Sequence, residues 1–222
     1  MIEEILPGCV VAVEAWHDRQ VVKLFPEEQA LLANAVEKRR REFTTARACA
    51  REALGRLDLP AVAIPAGARG EPLWPAGVVG SITHCDSYRA AALARAREIV
   101  TIGIDAEPHA ALPDGLLDEI ARAEELPALH RLQRELPEVH WDRLLFSAKE
   151  AVYKAWFPLA QRWLGFEDIS IEIDARTGVF AARILVPVPA AGDGLPRGFS
   201  GRWTVGDGLM LTAVAATPVS ED

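Results

Sequence analysis

The sequence predicts an α+β fold in which short strands accompany two long helical segments. The strand-like runs are β-branched or alternate in polarity, and they fall at residues 9–15, 78–84, 88–94, 99–105, 169–173, 180–186, 201–205 and 209–215. The helical segments instead repeat apolar residues at three- and four-residue steps. Because each half of the chain combines strands with one long helical segment, we expect two halves, at residues 1–102 and 103–222, that each pair a helix with a sheet.

The helical region of the first half opens at Pro26 in the manner typical of a helix N-terminus. Proline suits the first turn, and the two glutamates that follow offset the positive end of the helix dipole. We expect this helix to continue through the cations at 38–41 and to end before Gly55. The glycines and prolines of residues 65–72 then predict a loop.

The second half begins with a long connection and continues with the second long helix. Residues 108–137 contain prolines at 108, 113, 127 and 137, which limit this stretch to short helical pieces. The helix is expected to begin near Pro137 and to stop or kink at Pro158. Its predicted buried stripe consists of Leu145, Ala148, Val152, Ala155 and Leu159. Farther along, Gly206-Asp207-Gly208 between two alternating runs predicts a tight hairpin.

Composition and charge exclude several classes of function. The 222 residues carry 24 Lys and Arg against 32 Asp and Glu, a net charge of -8. Broad binding to nucleic acid or to an anionic membrane needs a basic field and is therefore not expected. The chain shows no signal peptide and no run that could cross a bilayer, and its three cysteines are widely spaced, which predicts free thiols. We expect a cytoplasmic protein.

Two acidic positions at the end of the run 99–105 indicate a cation site. Asp105 and Glu107 are two residues apart, so their side chains would lie on the same side of an extended strand. Carboxylates held together repel each other unless a cation lies between them, and an all-oxygen pair suits magnesium. The alternative is an ordinary acidic loop after a strand.

Glu150 and Lys154 lie one turn apart on the second long helix and are open to two interpretations. They form either a surface ion pair, worth about 0.2–0.5 kcal/mol, or part of a functional site. Arg47 is more informative, because it lies among small and apolar residues where an unpaired buried guanidinium is costly. It therefore needs a carboxylate or a bound phosphate as its partner.

Other basic positions are less specific when taken singly. The cations at 38–41 fit a solvated helix end as well as a binding site. His84 fits a structural histidine at a strand end, and Arg69-Gly70 resembles an anion-holding corner. The chain contains neither a Walker A sequence nor Gly-x-Gly-x-x-Gly, so the common nucleotide-binding loops are absent.

Together these motifs resemble the paired signature of the Sfp-type 4′-phosphopantetheinyl transferases. That signature joins Gly-x-Asp-x-Glu to a later (Trp/Phe)-x-x-Lys-Glu-Ala/Ser-x-x-Lys. Here the two parts read Gly103-Ile104-Asp105-Ala106-Glu107 and Phe146-Ser147-Ala148-Lys149-Glu150-Ala151-Val152-Tyr153-Lys154. Each part is weak alone, whereas the ordered pair is specific. The similarity also includes residues 39–43, Arg47, 81–85 and 163–168, and it is greatest for the actinobacterial PptT-like branch.

The resemblance implies a pseudo-dimer of two similar α+β halves with the active site in the cleft between them. Such enzymes transfer the 4′-phosphopantetheine arm of coenzyme A to a serine of an apo acyl or peptidyl carrier protein. They require magnesium and release adenosine 3′,5′-bisphosphate. Since both halves of the cleft belong to one chain, we expect a monomer.

Carried over residue by residue, the resemblance implies a metal site, a catalytic pair and a coenzyme A site. Asp105, Glu107 and Glu150 would hold the metal. Glu150 would also accept the serine proton, and Lys154 would steady the charge on the diphosphate. The coenzyme A contacts would come from Arg39, Arg47, Arg69, Gly70, Glu71, Pro72, Thr83, His84, Asp105, Lys149, Glu150, Lys154 and Leu164. Glu71 departs from the family pattern, because many relatives carry Lys after this glycine; Arg69 would supply the charge instead.

Two other functions compete with this one. The first is a different magnesium-dependent enzyme that acts on a nucleotide diphosphate, such as a hydrolase or a nucleotidyltransferase. The second is a non-catalytic protein that binds coenzyme A or a carrier protein. The intact acidic set together with Lys154 argues against the second.

Overall fold

The computed structural model describes residues 1–186 and 195–218, which form two antiparallel sheets and five helices. Strands β1 to β8 span Val11–Ala15, Val78–Cys85, Tyr88–Arg95, Thr101–Pro108, Ile169–Asp174, Val179–Ile184, Gly198–Gly206 and Leu209–Ala216. Helices α1 to α5 span Pro26–Ala30, Glu37–Arg56, Leu116–Ile120, Leu126–Glu135 and Trp141–Ala160. None of these helices is both long and apolar enough to cross a bilayer. The predicted α+β class is confirmed.

Each sheet packs against one of the two long helices. The three-stranded sheet has the order β1-β3-β2 and carries α2, and the five-stranded sheet has the order β4-β8-β7-β6-β5 and carries α5. Small side chains explain the first contact, because Ala50 and Ala53 of α2 are buried in the same cluster as Ala91 of β3. The predicted division between residues 102 and 103 falls within β4, and the division into two domains stays a prediction.

The helical region of the first half differs from the prediction of one continuous helix. Helix α1 ends at Ala30 and α2 begins only at Glu37, with a turn between them. The guanidinium of Arg40 explains the break, since it donates to the carbonyl oxygens of Ala33 at 3.1 Å and Ala35 at 3.0 Å. In a continuous helix those oxygens would accept backbone amides one turn later.

The second half also shows one confirmed turn and two displaced helix ends. Helix α5 begins at Trp141 rather than near Pro137, and it passes through Pro158 to end at Ala160. The hairpin predicted around residue 207 is confirmed, because β7 and β8 are joined by Asp207 and Gly208 with φ of 50° and 74°. Two successive positive φ values are those of the type I′ turn that matches strand twist.

The two sheets meet along β2 and β4, which are edge strands joined by side-chain hydroxyl groups. Ser81 Oγ of β2 accepts the Ile104 amide of β4 at 3.1 Å. Thr83 Oγ1 accepts the Ala106 amide at 3.0 Å. These two outward amides of β4 are therefore satisfied by β2, which fixes the position of the acidic end of β4 against β2.

Gly103 lies where α5 crosses β4, and a side chain there has no space. A methyl group would overlap the carbonyl oxygen of Ala151 and lie 2.7 Å from the Ala155 amide nitrogen.

We expect Gly103→Ala to lower the free energy of unfolding by about 1–3 kcal/mol, as overpacking does. Gly55→Ala in α2 is the control: with no heavy atom within 4 Å, it should raise stability by up to about 1 kcal/mol. Urea denaturation of both variants is the measurement; an unchanged Gly103→Ala midpoint would contradict this close contact.

Candidate active site

Asp105 lies at the buried end of β4 and is 5% exposed. Its Oδ1 accepts a hydrogen bond from the Lys154 ammonium at 2.7 Å and lies 3.4 Å from Thr83 Oγ1. Lys154 also donates to the Ile104 carbonyl at 3.1 Å. The second oxygen, Oδ2, is buried without a hydrogen-bond partner in the described part of the chain. A buried carboxylate oxygen left in this way is available to a ligand.

Glu107, the second acid of β4, is tied to the first turn of α5. Its Oε2 accepts Arg143 Nη1 at 2.7 Å. Arg143 also donates to the carbonyl oxygens of Ala110 at 3.1 Å and Ala111 at 2.7 Å, so it holds the segment that follows β4. Burial raises the pKa of Glu107 above its ordinary value, and the neighbouring Asp105 adds to the rise while Arg143 opposes it.

Glu150 faces the same acids from α5. Within the described residues its carboxylate forms neither a hydrogen bond nor an ion pair. Burial raises its pKa above the ordinary value; Lys154 opposes that rise, whereas Asp105 and Glu107 add to it. The carboxyl group is therefore a stronger base than a free glutamate and has no structural bond to break before it acts.

Four polar side chains of α5 share the face that looks toward β4 and β8. They are separated by four, three and four residues, the spacing of one helical face, and are Arg143, Ser147, Glu150 and Lys154. Ser147 Oγ lies 2.9 Å from Thr212 Oγ1 of β8. Arg143 was not among the predicted site residues, although this spacing with respect to Glu150 and Lys154 would have singled it out.

A group of cations lies on the other side of the cleft, on α2 and β2. Arg39 Nη1 lies 2.8 Å from His84 Nε2. Burial and Arg39, in that order, lower the pKa of His84 below its ordinary value. Glu42 Oε2, 3.8 Å from His84 Nδ1, opposes this shift, and the net lowering favours the neutral imidazole beside the guanidinium.

Arg47 is 5% exposed and has no ion pair with any described residue. Its Nε donates to the Ile64 carbonyl at 2.9 Å, and its guanidinium carbon lies 4.1 Å from the Phe43 ring centroid. Ile64 is fixed in turn, since its amide donates to Glu28 Oε1 at 3.0 Å. Burial lowers the pKa of Arg47 to about 10. The anionic partner that the sequence requires for Arg47 is thus not a carboxylate of the described protein.

The loop at 65–72 is a tight turn shaped by Glu71. The Glu71 carbonyl accepts the Gly67 amide at 2.8 Å, and the Glu71 carboxylate accepts the Arg69 amide at 2.9 Å. Gly70 has a φ of 85°, a conformation that favours glycine. The acidic departure at Glu71 therefore holds the loop in shape, while Arg69 lines the cleft.

Three adjoining cavities run along the cleft. The cation cavity, of about 290 Å³, is lined by Leu31, Leu32, Ala35, Arg39, Phe43, Ala46, Arg47, Ala66, Gly70, Pro72, Ile82 and His84. The central cavity, of about 210 Å³, is lined by Arg69, Gly70, Glu71, Pro72, Trp74, Gly80, Ser81, Ile82, Glu150, Tyr153, Lys154, Phe157 and Pro158. The aromatic cavity, of about 370 Å³, is lined by Lys149, Glu150, Tyr153, Trp163, Leu164, Gly165, Phe166, Glu167 and Ile169. The central cavity shares lining residues with each of the other two and therefore lies between them.

Most of the predicted coenzyme A residues line one of these cavities. The exceptions are Thr83 and Asp105. They contact each other, and Asp105 also accepts a hydrogen bond from Lys154, which lines the central cavity. The predicted phosphate-binding role of Lys149 stays a prediction. In the structure its ammonium is fully buried and donates hydrogen bonds to three protein acceptors.

The chemistry of the acidic group fits magnesium. Asp105, Glu107 and Glu150 offer only oxygen donors, and Asp105 Oδ2 is buried without a partner among the described residues. After burial, Asp105 adds to the raised pKa of Glu107, and Asp105 and Glu107 add to that of Glu150, as neighbouring carboxylates do. Over residues 1–186 and 195–218, however, no three His, Cys, Asp or Glu side chains are already gathered around one metal position. One carboxylate oxygen of Glu107 is paired with Arg143 instead.

Comparison with known proteins identifies the family to which this cleft belongs. Residues 27–94 match the model of the 4′-phosphopantetheinyl transferase N-terminal domain, and residues 101–205 match that of the 4′-phosphopantetheinyl transferase superfamily. The chain belongs to the 4′-phosphopantetheinyl transferase superfamily. The enzyme class predicted from the paired signature is thereby confirmed.

Three bacterial transferases of this superfamily are similar over nearly the whole chain. The 4′-phosphopantetheinyl transferase Svp of Streptomyces mobaraensis is 50% identical over 218 residues, covering 97% of this chain and 89% of the relative. Npt of Nocardia iowensis is 51% identical over 223 residues, covering 97% of this chain and 99% of the relative. PptT of Mycobacterium tuberculosis is 46% identical over 224 residues, covering 96% of this chain and 97% of the relative. The matched region covers at least 89% of each of these three relatives.

Proposed function

We propose that this transferase moves the 4′-phosphopantetheine arm of coenzyme A to a serine of an apo acyl or peptidyl carrier protein. The observation that carries the proposal is the order of the three cavities. Cations line the first, Glu150 and Lys154 line the second, and aromatic side chains line the third. Coenzyme A has the same order, with a phosphorylated adenosine, a diphosphate and an uncharged arm.

In this proposal Arg39, Arg47 and His84 bind the phosphorylated adenosine, and Arg69 and Lys154 contact the diphosphate. Leu164 lies in the aromatic cavity, where the arm would run. Magnesium, the proposed metal, would be held by Asp105, Glu107 and Glu150, and it would neutralise diphosphate oxygens when bound. For both oxygens of Glu107 to bind the metal, the hydrogen bond from Arg143 to Oε2 must first be replaced by a metal contact.

The proposed reaction is a displacement at phosphorus. Glu150 accepts the proton of the carrier serine, and the serine oxygen forms a bond to the phosphorus that bears the arm. The bond from that phosphorus to the bridging oxygen breaks, and adenosine 3′,5′-bisphosphate leaves with the electron pair. Lys154 steadies the negative charge on the diphosphate. Such a reaction needs positioned cations and a base rather than a covalent intermediate, and the cleft provides both.

Several wider features belong to the same proposal. The catalytic cleft is built from a single chain, which supports a monomer as the working unit. The net charge of -8 supports partners other than nucleic acid and anionic membranes. The free cysteines support a cytoplasmic location.

Arg47→Ala should weaken coenzyme A binding by about ten- to a hundredfold while changing the rate of the bound complex much less. A charge-assisted hydrogen bond to phosphate contributes roughly 1.5–3 kcal/mol, which converts to that range. Calorimetric titration with coenzyme A is the measurement. The control is Arg97→Ala, which removes an exposed guanidinium outside the cleft. Parental affinity in Arg47→Ala would show that its buried contacts are purely structural.

The function is tested by incubating the enzyme with coenzyme A, magnesium and a panel of apo-carrier proteins. Intact mass spectrometry should show the added arm on the carrier, with equimolar adenosine 3′,5′-bisphosphate. A hydrolase would release the bisphosphate without any carrier, and a nucleotidyltransferase would leave a nucleotide on its acceptor. A non-catalytic binder would retain coenzyme A intact. Any of these three outcomes would overturn the proposal.

A further inference from the structure

Lys149 lies next to the proposed base Glu150, yet its side chain points away from the reacting groups into the protein. Its ammonium donates to Glu125 Oε2 at 2.8 Å, to the Ile120 carbonyl at 2.8 Å and to the Phe166 carbonyl at 3.0 Å. Both charged side chains are withdrawn from solvent, at 0% exposure for Lys149 and 3% for Glu125. All three donors of the ammonium are used.

Glu125 extends this contact to two further segments. Its Oε1 accepts the Ile171 amide of β5 at 2.7 Å. Its Oε2 also accepts the Arg122 amide at 2.8 Å. The Lys149–Glu125 pair therefore joins α5 to the end of α3, the start of α4, the residues before β5, and β5 itself.

Two of the joined segments form the wall of the aromatic cavity. Phe166, whose carbonyl accepts Lys149, lines that cavity together with Leu164 and Ile169. The Phe166 ring lies 5.8 Å from the Phe146 ring of α5, so the wall is also packed against the helix. The cation cavity, with Arg39, Arg47 and His84, has no lining residue in common with the aromatic cavity.

We propose that Lys149 is a positioning residue which, with Glu125, fixes the wall of the aromatic cavity and thereby selects for the pantetheine arm. Lys149 does not bind phosphate in this assignment. The proposal rests on the proposed function for the identity of the arm. It predicts that loss of the pair weakens the binding only of ligands that carry the pantetheine arm, because the residues of the cation cavity are held by other contacts.

The test compares two ligands that share the phosphorylated adenosine but differ in the arm. Coenzyme A and adenosine 3′,5′-bisphosphate are titrated into the parent, Lys149→Met and Arg47→Ala by calorimetry. For Lys149→Met we expect the coenzyme A Kd to rise about tenfold or more, with the bisphosphate Kd within about twofold of the parent. For Arg47→Ala both values should rise together. In carrier modification, Lys149→Met should raise KM for coenzyme A more than it lowers kcat.

A second variant guards against a fold defect, since Lys149→Met leaves the Glu125 charge buried and unpaired. Lys149→Met with Glu125→Gln removes both charges and keeps an amide oxygen for the Ile171 amide. This double variant should recover the thermal unfolding temperature of the parent in large part, yet keep the selective loss of coenzyme A affinity. If the single variant does not fold, the double variant supplies the comparison.

Equal weakening of both ligands would make Lys149 a phosphate ligand and overturn the proposal. Unchanged binding of both ligands in a folded variant would overturn it as well, because the pair would then be structural only. These outcomes are distinct from failure of the proposed function, which would appear in the parent enzyme as absent transfer to every carrier.

Discussion

Glu150→Gln should slow carrier modification by about a hundred- to ten-thousandfold, the usual contribution of a general base. Glutamine keeps the shape of the side chain and still offers an oxygen to a metal, but it cannot accept the serine proton. Because Glu150 forms no ion pair with the described residues, the substitution breaks no structural contact. Coenzyme A binding should therefore stay close to that of the parent.

The measurement is single-turnover transfer to an apo-carrier, alongside a coenzyme A titration. Glu172→Gln on the exposed side of β5 is the matched control and should transfer at the parental rate. A Glu150→Gln rate within about threefold of the parental rate would contradict the assignment of Glu150 as the base. A threefold loss is far smaller than the hundred- to ten-thousandfold loss expected when a general base is removed. Lost affinity with a normal rate would leave Glu150 as a ligand only.

The raised pKa of Glu150 gives this prediction a pH dependence. The transfer rate of the parent should fall as pH drops through that pKa, because the base becomes protonated. The free energy of unfolding depends on pH in the opposite sense, because it decreases as Glu150 becomes ionised. The folded metal-free protein binds this proton more tightly than the unfolded chain does, so the ionised group destabilises it at neutral pH. Metal-free Glu150→Gln should thus match or exceed the parent in stability at neutral pH, with the difference vanishing below the ordinary glutamate pKa.

Asp105→Asn should lower transfer by about a hundred- to a thousandfold, the usual effect of losing a group that stabilises transition-state charge. Asparagine keeps an oxygen near Lys154 Nζ but removes the charge that a magnesium ion requires. It also changes the buried Oδ2, the oxygen without a partner in the described structure. We expect magnesium affinity to fall with the rate.

Magnesium binding is followed by calorimetry, so the readout does not depend on activity. Asp58→Asn is the matched control, because Asp58 is exposed outside the cleft at a φ of 55°, a conformation that asparagine tolerates. Parental magnesium affinity in Asp105→Asn would remove Asp105 from the proposed metal set. Lost transfer with parental metal binding would instead make it a partner of Lys154 alone.

Much of this cleft is predictable because its residues recur at fixed spacings within single elements. The two-residue step from Asp105 to Glu107 and the four-residue step from Glu150 to Lys154 each place two groups on one face. The argument from Arg47 also needed only the sequence, since a guanidinium among small apolar residues requires a partner. The structure agrees that no described carboxylate forms an ion pair with it.

Other features depend on contacts between segments that are far apart in the chain. Lys149 adjoins Glu150 in the signature, yet a helix turns adjacent side chains by about 100°, and this one meets Glu125 inside the protein. The bond between Arg143 and Glu107 likewise spans 36 residues. The break between α1 and α2 arises from Arg40, whose side chain reaches back to carbonyl groups that local propensity assigns to the helix.

The hydroxyl groups that join β2 to β4 have a consequence for solvent exchange. The amides of Ile104 and Ala106 are bonded to Ser81 and Thr83 rather than to a neighbouring strand of their own sheet. Their deuterium uptake therefore requires the hydrogen bonds between β2 and β4 to break, whereas uptake in β3 requires the first sheet itself to open. Because these two amides flank Asp105, their exchange rates would measure how often the contact between β2 and β4 opens, and a substrate that stabilises this contact should slow both rates.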